Sequence, residues 1–250
     1  MQIFSAPFAV LADAVSYVLS ALFLGRVRAA EPPVEDSAGR DLRARMVEGL
    51  RFIGHNPIFR PSLTAVATLN FFNYAFHALF VLYAIRTLGI GAGTLGLVLG
   101  AGAVGGICGA VAAGRIGRAI GVGRAFMVGC VLFPAPLVLI PLAGGPRSLV
   151  LGMLFTAEFL SGFGVMILDI NAGSIIYALT PDRLRARATG AFNFVNWGIR
   201  PLGSLAGGAL GAAIGVRPTL WVATVGAISG VLWLLPSPVP ALRELPEEAA

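Results

Sequence analysis

Lysine is missing from this chain of 250 residues, and all 18 of its basic side chains are arginines. Lysine is the residue that forms Schiff bases with retinal or pyridoxal phosphate and that contacts phosphate in a P-loop. These three kinds of site are therefore excluded. Charged residues make up only 12% of the chain, whereas a soluble domain has about 25%. The chain has too little charge to cover the surface of a soluble protein.

Metal-binding and catalytic patterns are also scarce. The two cysteines, Cys108 and Cys130, fall inside apolar stretches and lack metal-ligand spacing, so they are expected to be buried free thiols. His55 and His77 are far apart in sequence. Neither a His-Glu-x-x-His nor a Gly-x-Ser-x-Gly motif occurs. No metal, no cofactor and no enzymatic activity is expected.

Long apolar stretches dominate what is present, and 57% of the residues are hydrophobic. A run of about 20 residues spans the roughly 30 Å hydrocarbon core as an α-helix. Backbone groups in lipid must bond internally, which favours helices over strands. The sequence therefore predicts an all-α polytopic membrane bundle of about seven transmembrane helices. The seven stretches are 6–24, 62–85, 93–114, 125–142, 148–171, 188–213 and 218–235.

Arginine alternates between rich and poor connections along the chain. The connection 25–61 holds seven arginines, the next connection holds Arg86 alone, and this alternation continues to the end. One side of the membrane thus collects fourteen arginines and the other three. Positive loops stay cytoplasmic, so the pattern predicts a cytoplasmic C-terminus. The basic loops, and with them the net charge of +6, are therefore expected to face anionic lipid rather than nucleic acid.

Four segments follow from this pattern. Residues 1–24 are predicted to form a single transmembrane helix, and 25–61 a cytoplasmic linker. Within the linker, the spacing of apolar residues predicts an amphipathic helix at 42–55, with Asp41 as its cap and Pro57 after its end. Residues 62–235 are predicted to form a six-helix bundle and 236–250 a cytoplasmic tail.

Glycine and proline predict packing and a break. Gly203, Gly207, Gly211 and Gly215 recur every four residues, a spacing that lets helix backbones approach closely. A similar role is predicted for Gly96, Gly100, Gly102, Gly106 and Gly109. Three prolines in 125–142 predict a bent or broken helix.

Polar side chains inside the apolar stretches are costly in lipid and mark functional positions. Glu158 and Arg200 lie near mid-depth on consecutive stretches, which predicts an ion pair or a shared cavity with a role in proton coupling. A static buried pair that fixes packing is the alternative. Two further stripes are polar at helical spacing. They are Asn70, Asn73 and His77 in the second stretch, and Asn193 and Asn196 in the sixth.

Several motifs resemble the major facilitator superfamily of secondary transporters, and within it the bacterial drug-exporter-like branch. Residues 11–17 (LADAVSY) resemble its sixth helix, and 48–57 its central cytoplasmic loop. Residues 109–118 (GAVAAGRIGR) are similar to its glycine–arginine loop motif, with Gly114 where aspartate is common. Residues 181–190 resemble the loop between helices ten and eleven.

The resemblance implies a role for each segment. Residues 1–24 would be helix six, and 62–235 the C-terminal half of the fold. The two polar stripes would line the substrate cavity, and loop arginines would gate it. Those arginines are Arg115, Arg118, Arg183 and Arg187.

The implied activity is proton-coupled export of small drug-like or hydrophobic molecules by alternating access. The implied location is the bacterial inner membrane, with lipid and a small-molecule substrate as partners. The chain is expected to be truncated, and its missing N-terminal half or a second copy would complete the cavity. The alternative is a non-transporting scaffold or a half-transporter subunit that needs a partner.

Overall fold

The structure is a computed structural model and describes residues 6–26 and 42–243. Within these ranges the regular elements are α-helices and short 3-10 turns, with no strand among them. This confirms the all-α class. The chain divides into two compact units, Met1–Leu42 and Arg43–Ala250. The first contains α1 (Ala6–Leu24).

The second unit carries the remaining helices. They are α2 (Leu42–His55), α3 (Phe59–Arg86), α4 (Ala92–Ile120), α5 (Val122–Leu132), α6 (Leu139–Leu142), α7 (Arg147–Leu179), α8 (Asp182–Ile214) and α9 (Val216–Ser229). Three 3-10 turns accompany them at Ala135–Val138, Gly230–Trp233 and Val239–Ala241.

Five helical segments in the described part of the chain are long and apolar enough to cross a membrane. They are Phe59–Arg86, Ala92–Ile120, Val122–Leu142, Arg147–Leu179 and Val216–Trp233. The sequence predicts seven. Of the other two, α1 contributes the shorter apolar segment Ala14–Leu24. Helix α8 is 33 residues long, but its asparagines and Arg200 make it more polar than the five.

Helix α2 has the predicted bounds, 42–55, and ends two residues before Pro57. The predicted cap Asp41 lies outside the described residues. The next helix begins with a cap from Asn56, whose Oδ1 accepts the backbone N–H of Ile58 at 2.9 Å and of Phe59 at 3.1 Å. This amide thereby satisfies two donors that the first turn of α3 leaves without an intrahelical partner.

The predicted break in the fourth stretch is present. Helix α5 ends at Leu132, a 3-10 turn covers Ala135–Val138, and the short α6 follows. Pro134 and Pro136 lack the backbone N–H that an uninterrupted α-helix would need there. The α-helix is therefore interrupted between α5 and α6.

Glycines bring two pairs of helices into backbone contact. A Cβ added at Gly203 would clash with the carbonyl oxygen of Phe71, and one at Gly207 would lie 2.5 Å from that of Ala75. On the other pair, a Cβ at Gly105 would clash with the carbonyl oxygen of Phe159. Helix α8 therefore packs tightly on α3, and α4 on α7.

Both pairs are parallel, because their contacts advance along both helices together. Gly203 meets Phe71, and Gly211 meets Leu79. Likewise Gly105 meets Phe159, and Gly109 meets Phe163. Parallel α3–α8 and α4–α7 pairs agree with helices that alternate in direction as the arginine pattern predicts. Which side is cytoplasmic stays a prediction.

The glycine prediction for α4 is partly wrong. Nothing lies within 4 Å of a Cβ added at Gly96 or Gly100. The packed face instead includes Gly105, which the prediction omits, beside Gly102 and Gly109. Cys108 lies outside this face and is exposed, contrary to expectation, whereas Cys130 is buried and both are free thiols.

The beginning of the predicted tail is packed against the bundle. The backbone N–H of Gly123 donates to the carbonyl of Leu242 at 3.0 Å, and that of Val122 to the carbonyl of Arg243 at 3.4 Å. Val239 is fully buried, and a Cβ at Gly123 would clash with its carbonyl oxygen. Residues 239–243 are therefore part of the folded unit.

Candidate functional site

A cleft of about 460 Å³ lies among α3, α7 and α8. Helix α3 supplies Val66, while α7 and α8 supply most of the wall. Its polar and charged lining residues are Asp169, Tyr177, Arg185, Thr189, Asn193, Asn196 and Arg200. Apolar side chains, including Leu168, Phe192 and Trp197, complete it. An apolar cleft with a few convergent polar groups is the usual form of a small-molecule site.

The structure joins the two predicted asparagine stripes. Nδ2 of Asn70 on α3 donates to Oδ1 of Asn196 on α8 at 2.7 Å. The same amide group of Asn70 donates to the carbonyl of Val66 at 3.0 Å. Asn196 lines the cleft, and Asn193 does so one turn earlier on α8. Asn70 thus links α3 to the part of α8 that lines the cleft.

Arg200 sits in an aromatic setting that the sequence prediction missed. Its Nη1 donates to the hydroxyl of Tyr74 at 2.9 Å. The centre of its guanidinium lies 4.4 Å from the centroid of the Trp197 ring and 5.1 Å from that of Tyr74. Such positions give favourable cation–π contacts. The Nε of Arg200 is buried and has no hydrogen-bond partner among the described residues.

The predicted ion pair between Glu158 and Arg200 is not formed. Glu158 is buried, and its Oε1 has no hydrogen-bond partner within the described ranges. The carboxyl faces α4, where a Cβ added at Gly102 would lie 3.4 Å from its Oε2. The reason is packing: α7 lies against α4 and α5, whereas α8 lies against α3 and α9. Although α7 and α8 are consecutive in sequence, they do not pack closely against each other.

Asp169 is the acidic residue that shares the cleft with Arg200, and it was not among the predicted site residues. Its carboxylate lies within an apolar stretch of the sequence, and this feature could have predicted Asp169 as a site residue. Arg185, also on the cleft, is engaged elsewhere. Its Nη2 forms an ion pair with Asp182 at 2.7 Å, and its guanidinium lies 3.9 Å from the Tyr177 ring centroid.

Two predicted cavity residues lie away from the cleft lining. Asn73 is buried on α3, and its Oδ1 has no hydrogen-bond partner among the residues that are described. His77 is half-buried, with its ring edge-on to Phe76 at 5.7 Å and to Phe80 at 6.3 Å. These two extend the Asn70 stripe along α3 without reaching the cleft.

The four predicted gating arginines differ in their surroundings. Arg115 and Arg118 are exposed at the end of α4. The side chain of Arg183 lies outside the described residues. Arg187 on α8 donates from Nη1 to Oε2 of Glu48 on α2 at 2.9 Å. A Cβ added at Gly49 would lie 2.5 Å from the carbonyl oxygen of Arg187, so α2 rests directly on the start of α8.

Exchanging the charges of this contact tests its contribution. Arg187→Glu places two acidic groups together and is expected to lower the melting temperature by about 2–4 °C, equivalent to about 1 kcal/mol. Glu48→Arg should do the same. The double exchange should recover at least half of the loss in a thermal unfolding series. Additive losses in the double variant would show that the pair contributes no coupling.

The described part of the chain contains five segments that are long and apolar enough to cross a membrane, together with a polar cleft. These features define a polytopic membrane protein with room for a small molecule. The family model described as Major Facilitator Superfamily matches residues 1–200 and 63–250. The chain therefore belongs to this superfamily of membrane transporters, as the motifs predict. No curated protein matches it. Transport of a small molecule across lipid follows from the family.

Proposed function

We propose that the chain is a secondary active transporter of the drug-exporter-like branch, which exports small hydrophobic or drug-like molecules by proton-coupled alternating access. The cleft among α3, α7 and α8 is its substrate site. The supporting observation is that one apolar cleft is lined by Asn193, Asn196 and Arg200. Asn70 positions Asn196 through a hydrogen bond. Polar side chains inside transmembrane segments are costly, and they mark the pathways of substrates and ions.

Helices α3 to α9 are proposed to form the C-terminal half of the fold, with α3 as helix seven and α8 as helix eleven. The exposed side of α8 supports a second wall across the cleft. Asn193 is exposed one turn before Trp197, which is 63% exposed, and a polar side chain that faces lipid is costly. A separate N-terminal half or a second copy of the chain would supply that wall. The two arrangements differ in subunit composition, which cross-linking within native membranes would resolve.

Glu158 is proposed to carry the coupled proton without Arg200. An unpaired ionised carboxylate in an apolar interior is costly, so the buried, partner-free Oε1 supports a protonated carboxyl in this conformation. The charged residues on the neighbouring helices are distant. Arg115 on α4 is 13 residues beyond Gly102, about 20 Å of helical rise. Release of the proton would then accompany a rearrangement of α4 against α7.

The proposed location is a bacterial inner membrane with the end of the chain on the cytoplasmic side. The basis is the distribution of arginine among the connections, fourteen against three. Accessibility of cysteines introduced at Arg86 and Arg118 to a membrane-impermeant maleimide tests it in intact cells, with Cys108 and Cys130 replaced by serine. Only position 86 should react. Reaction at position 118 alone would reverse the orientation.

Export is tested with Nile red, a neutral hydrophobic dye, in a bacterial strain that lacks its major efflux pumps. Cells that express the full chain should accumulate at least twofold less dye, and a protonophore should remove the difference. Asn193→Leu, in the cleft, should raise accumulation towards that of control cells. Thr156→Leu makes the same kind of change at an exposed position of α7 outside the cleft and should have no effect.

Equal accumulation with and without the chain, at comparable amounts of protein in the membrane, would contradict export of hydrophobic molecules. Dye efflux that persists after protonophore treatment would contradict proton coupling alone. The two results separate the transport proposal from the coupling proposal.

A further inference from the structure

The cleft holds a guanidinium whose hydrogen-bonding capacity is only partly used. Arg200 donates one bond, from Nη1 to Tyr74, and its Nε is buried without a partner in the described part of the chain. No carboxylate of the described residues lies at ion-pair distance from it. An arginine has five N–H donors in a rigid fork. The Nη2 of Arg200 has no hydrogen-bond partner among the described residues and is not one of the buried unpartnered atoms, so this nitrogen can donate to an acceptor in the cleft that Arg200 lines.

The aromatic side chains fix the direction of this guanidinium. Tyr74 binds Nη1, and the Trp197 ring lies 4.4 Å from the guanidinium centre. Nη2 is left for an acceptor in the cleft. A carboxylate or sulfonate accepts a charge-assisted hydrogen bond from such a group. Arginine held between aromatic rings is already oriented, which reduces the entropy lost on binding.

The rest of the cleft is suited to an apolar body next to that anionic group. Leu168, Ile176, Phe192 and Trp197 supply apolar surface, and Asn193 and Asn196 add neutral polar groups. A volume of about 460 Å³ is within the usual range for small-molecule sites. The ring of Trp197 both contacts the guanidinium and lines the cleft, so a flat body can stack near the anion.

We propose that the cleft recognises an amphipathic organic anion, with one carboxylate or sulfonate bound by Arg200 and a flat apolar body against Trp197. This inference rests on the proposed function, because it takes the cleft as the substrate site. It names amphipathic monoanions as the preferred class among the hydrophobic molecules that the transporter exports.

Asp169 is the reason why the ligand is expected to carry only one negative charge. It lines the same cleft as Arg200, and a second anionic group on the ligand would meet its carboxylate. Arg185 does not offset this, because it is paired with Asp182 and lies over Tyr177. The cleft therefore offers one available cation and one carboxylate.

A soluble anion fits better than an anionic phospholipid. Arg200 is 18 residues beyond the start of α8, about 27 Å of helical rise, which places it near the middle of a 33-residue helix. Phospholipid headgroups lie at the membrane surface, beyond a hydrocarbon core about 30 Å thick. A headgroup would have to enter far into the bundle to reach this guanidinium.

Calorimetric titration of the purified full chain in dodecyl maltoside tests the proposal with matched ligands. Naphthalene-2-carboxylate, its neutral amide and naphthalen-2-ylmethylammonium share one ring system. The carboxylate is expected to bind at least tenfold more tightly than the amide. Arg200→Gln should reduce this ratio to less than threefold, and Arg147→Gln, an exposed arginine at the start of α7, should leave it unchanged.

Asp169→Asn is a second test variant, and it is expected to strengthen carboxylate binding where Arg200→Gln weakens it. Removal of the carboxylate should tighten carboxylate binding about threefold and should allow naphthalene-2,6-dicarboxylate to bind. A gain of binding requires folded protein, so this result stays informative where Arg200→Gln yields unfolded protein.

Equal binding of carboxylate and amide, tightest binding of the ammonium compound, or no binding of any of the three would overturn the proposal. So would loss of carboxylate binding when phosphatidylglycerol is added, since this would identify a lipid site. Nile red efflux is read separately. Efflux without an anion preference contradicts only this inference, whereas an anion preference without efflux contradicts only the proposed export.

Discussion

Gly105→Ala is expected to push α4 away from α7 and to cost about 3 kcal/mol or more of stability. The added Cβ would clash with the backbone of Phe159, from its carbonyl oxygen to its Cα at 3.0 Å. Backbone atoms of a helix cannot turn aside as the end of a long side chain can, so the helices must separate along their length. Overpacking typically costs 1–3 kcal/mol, and this contact is with backbone.

Gly100→Ala is the matched control on the same helix. An added Cβ there meets nothing within 4 Å, so the change keeps only the gain in helix propensity, up to about 1 kcal/mol. Thermal unfolding of the two variants in the same detergent is the measurement. Gly105→Ala should melt at least 5 °C below the wild type, and Gly100→Ala at or slightly above it. Equal melting temperatures would show that the close approach of α4 and α7 does not exist.

The same comparison is available at the second interface. Gly203→Ala would clash with the carbonyl oxygen of Phe71, whereas Gly208→Ala meets nothing within 4 Å. A loss confined to Gly203→Ala would establish that both parallel pairs depend on glycine. It would also separate an interface effect from a general intolerance of alanine.

Glu158→Gln is expected to abolish transport driven by a proton gradient while leaving ligand binding intact. Glutamine matches glutamate in size and fits the same position against Gly102, but it cannot release a proton. In everted membrane vesicles, Nile red should discharge a preformed pH gradient in the wild type. The rate should fall at least tenfold in Glu158→Gln.

Glu35→Gln, in the connection before α2, is the control and should retain the wild-type rate. The affinity of Glu158→Gln for naphthalene-2-carboxylate should change by less than threefold, because the cleft lining does not include this residue. Proton movement that continues at the wild-type rate in Glu158→Gln would rule out this carboxyl as the coupling group. A joint loss of binding and coupling would indicate a folding defect instead.

The positions of the helices could be predicted because lipid imposes a simple rule on sequence. Apolar runs long enough to span the bilayer must be helical. The six predicted stretches from 62 to 235 coincide with helical segments, apart from the break at 133–134 and the last two residues of 218–235. The break near Pro134 follows from a missing N–H, a local property. The shared helix face of Gly203 and Gly207 could be predicted in the same way, because their spacing alone puts these residues on one face.

The contacts between helices could not be read in the same way. Glu158 and Arg200 have matching depth and opposite charge, yet they face different neighbours, because depth along a helix does not determine its direction around the axis. Tyr74 was missed because a tyrosine in an apolar stretch has an ordinary role in packing. Only the neighbouring helix reveals that its hydroxyl accepts a bond from Arg200.

The contact between Gly123 and Leu242 also constrains the order in which the protein can be assembled. These residues are separated by more than a hundred positions, yet their backbones are hydrogen-bonded, and Val239, which contacts Gly123, is fully buried. During synthesis the first turn of α5 therefore lacks this partner until the whole of α9 and the residues up to Arg243 have left the ribosome.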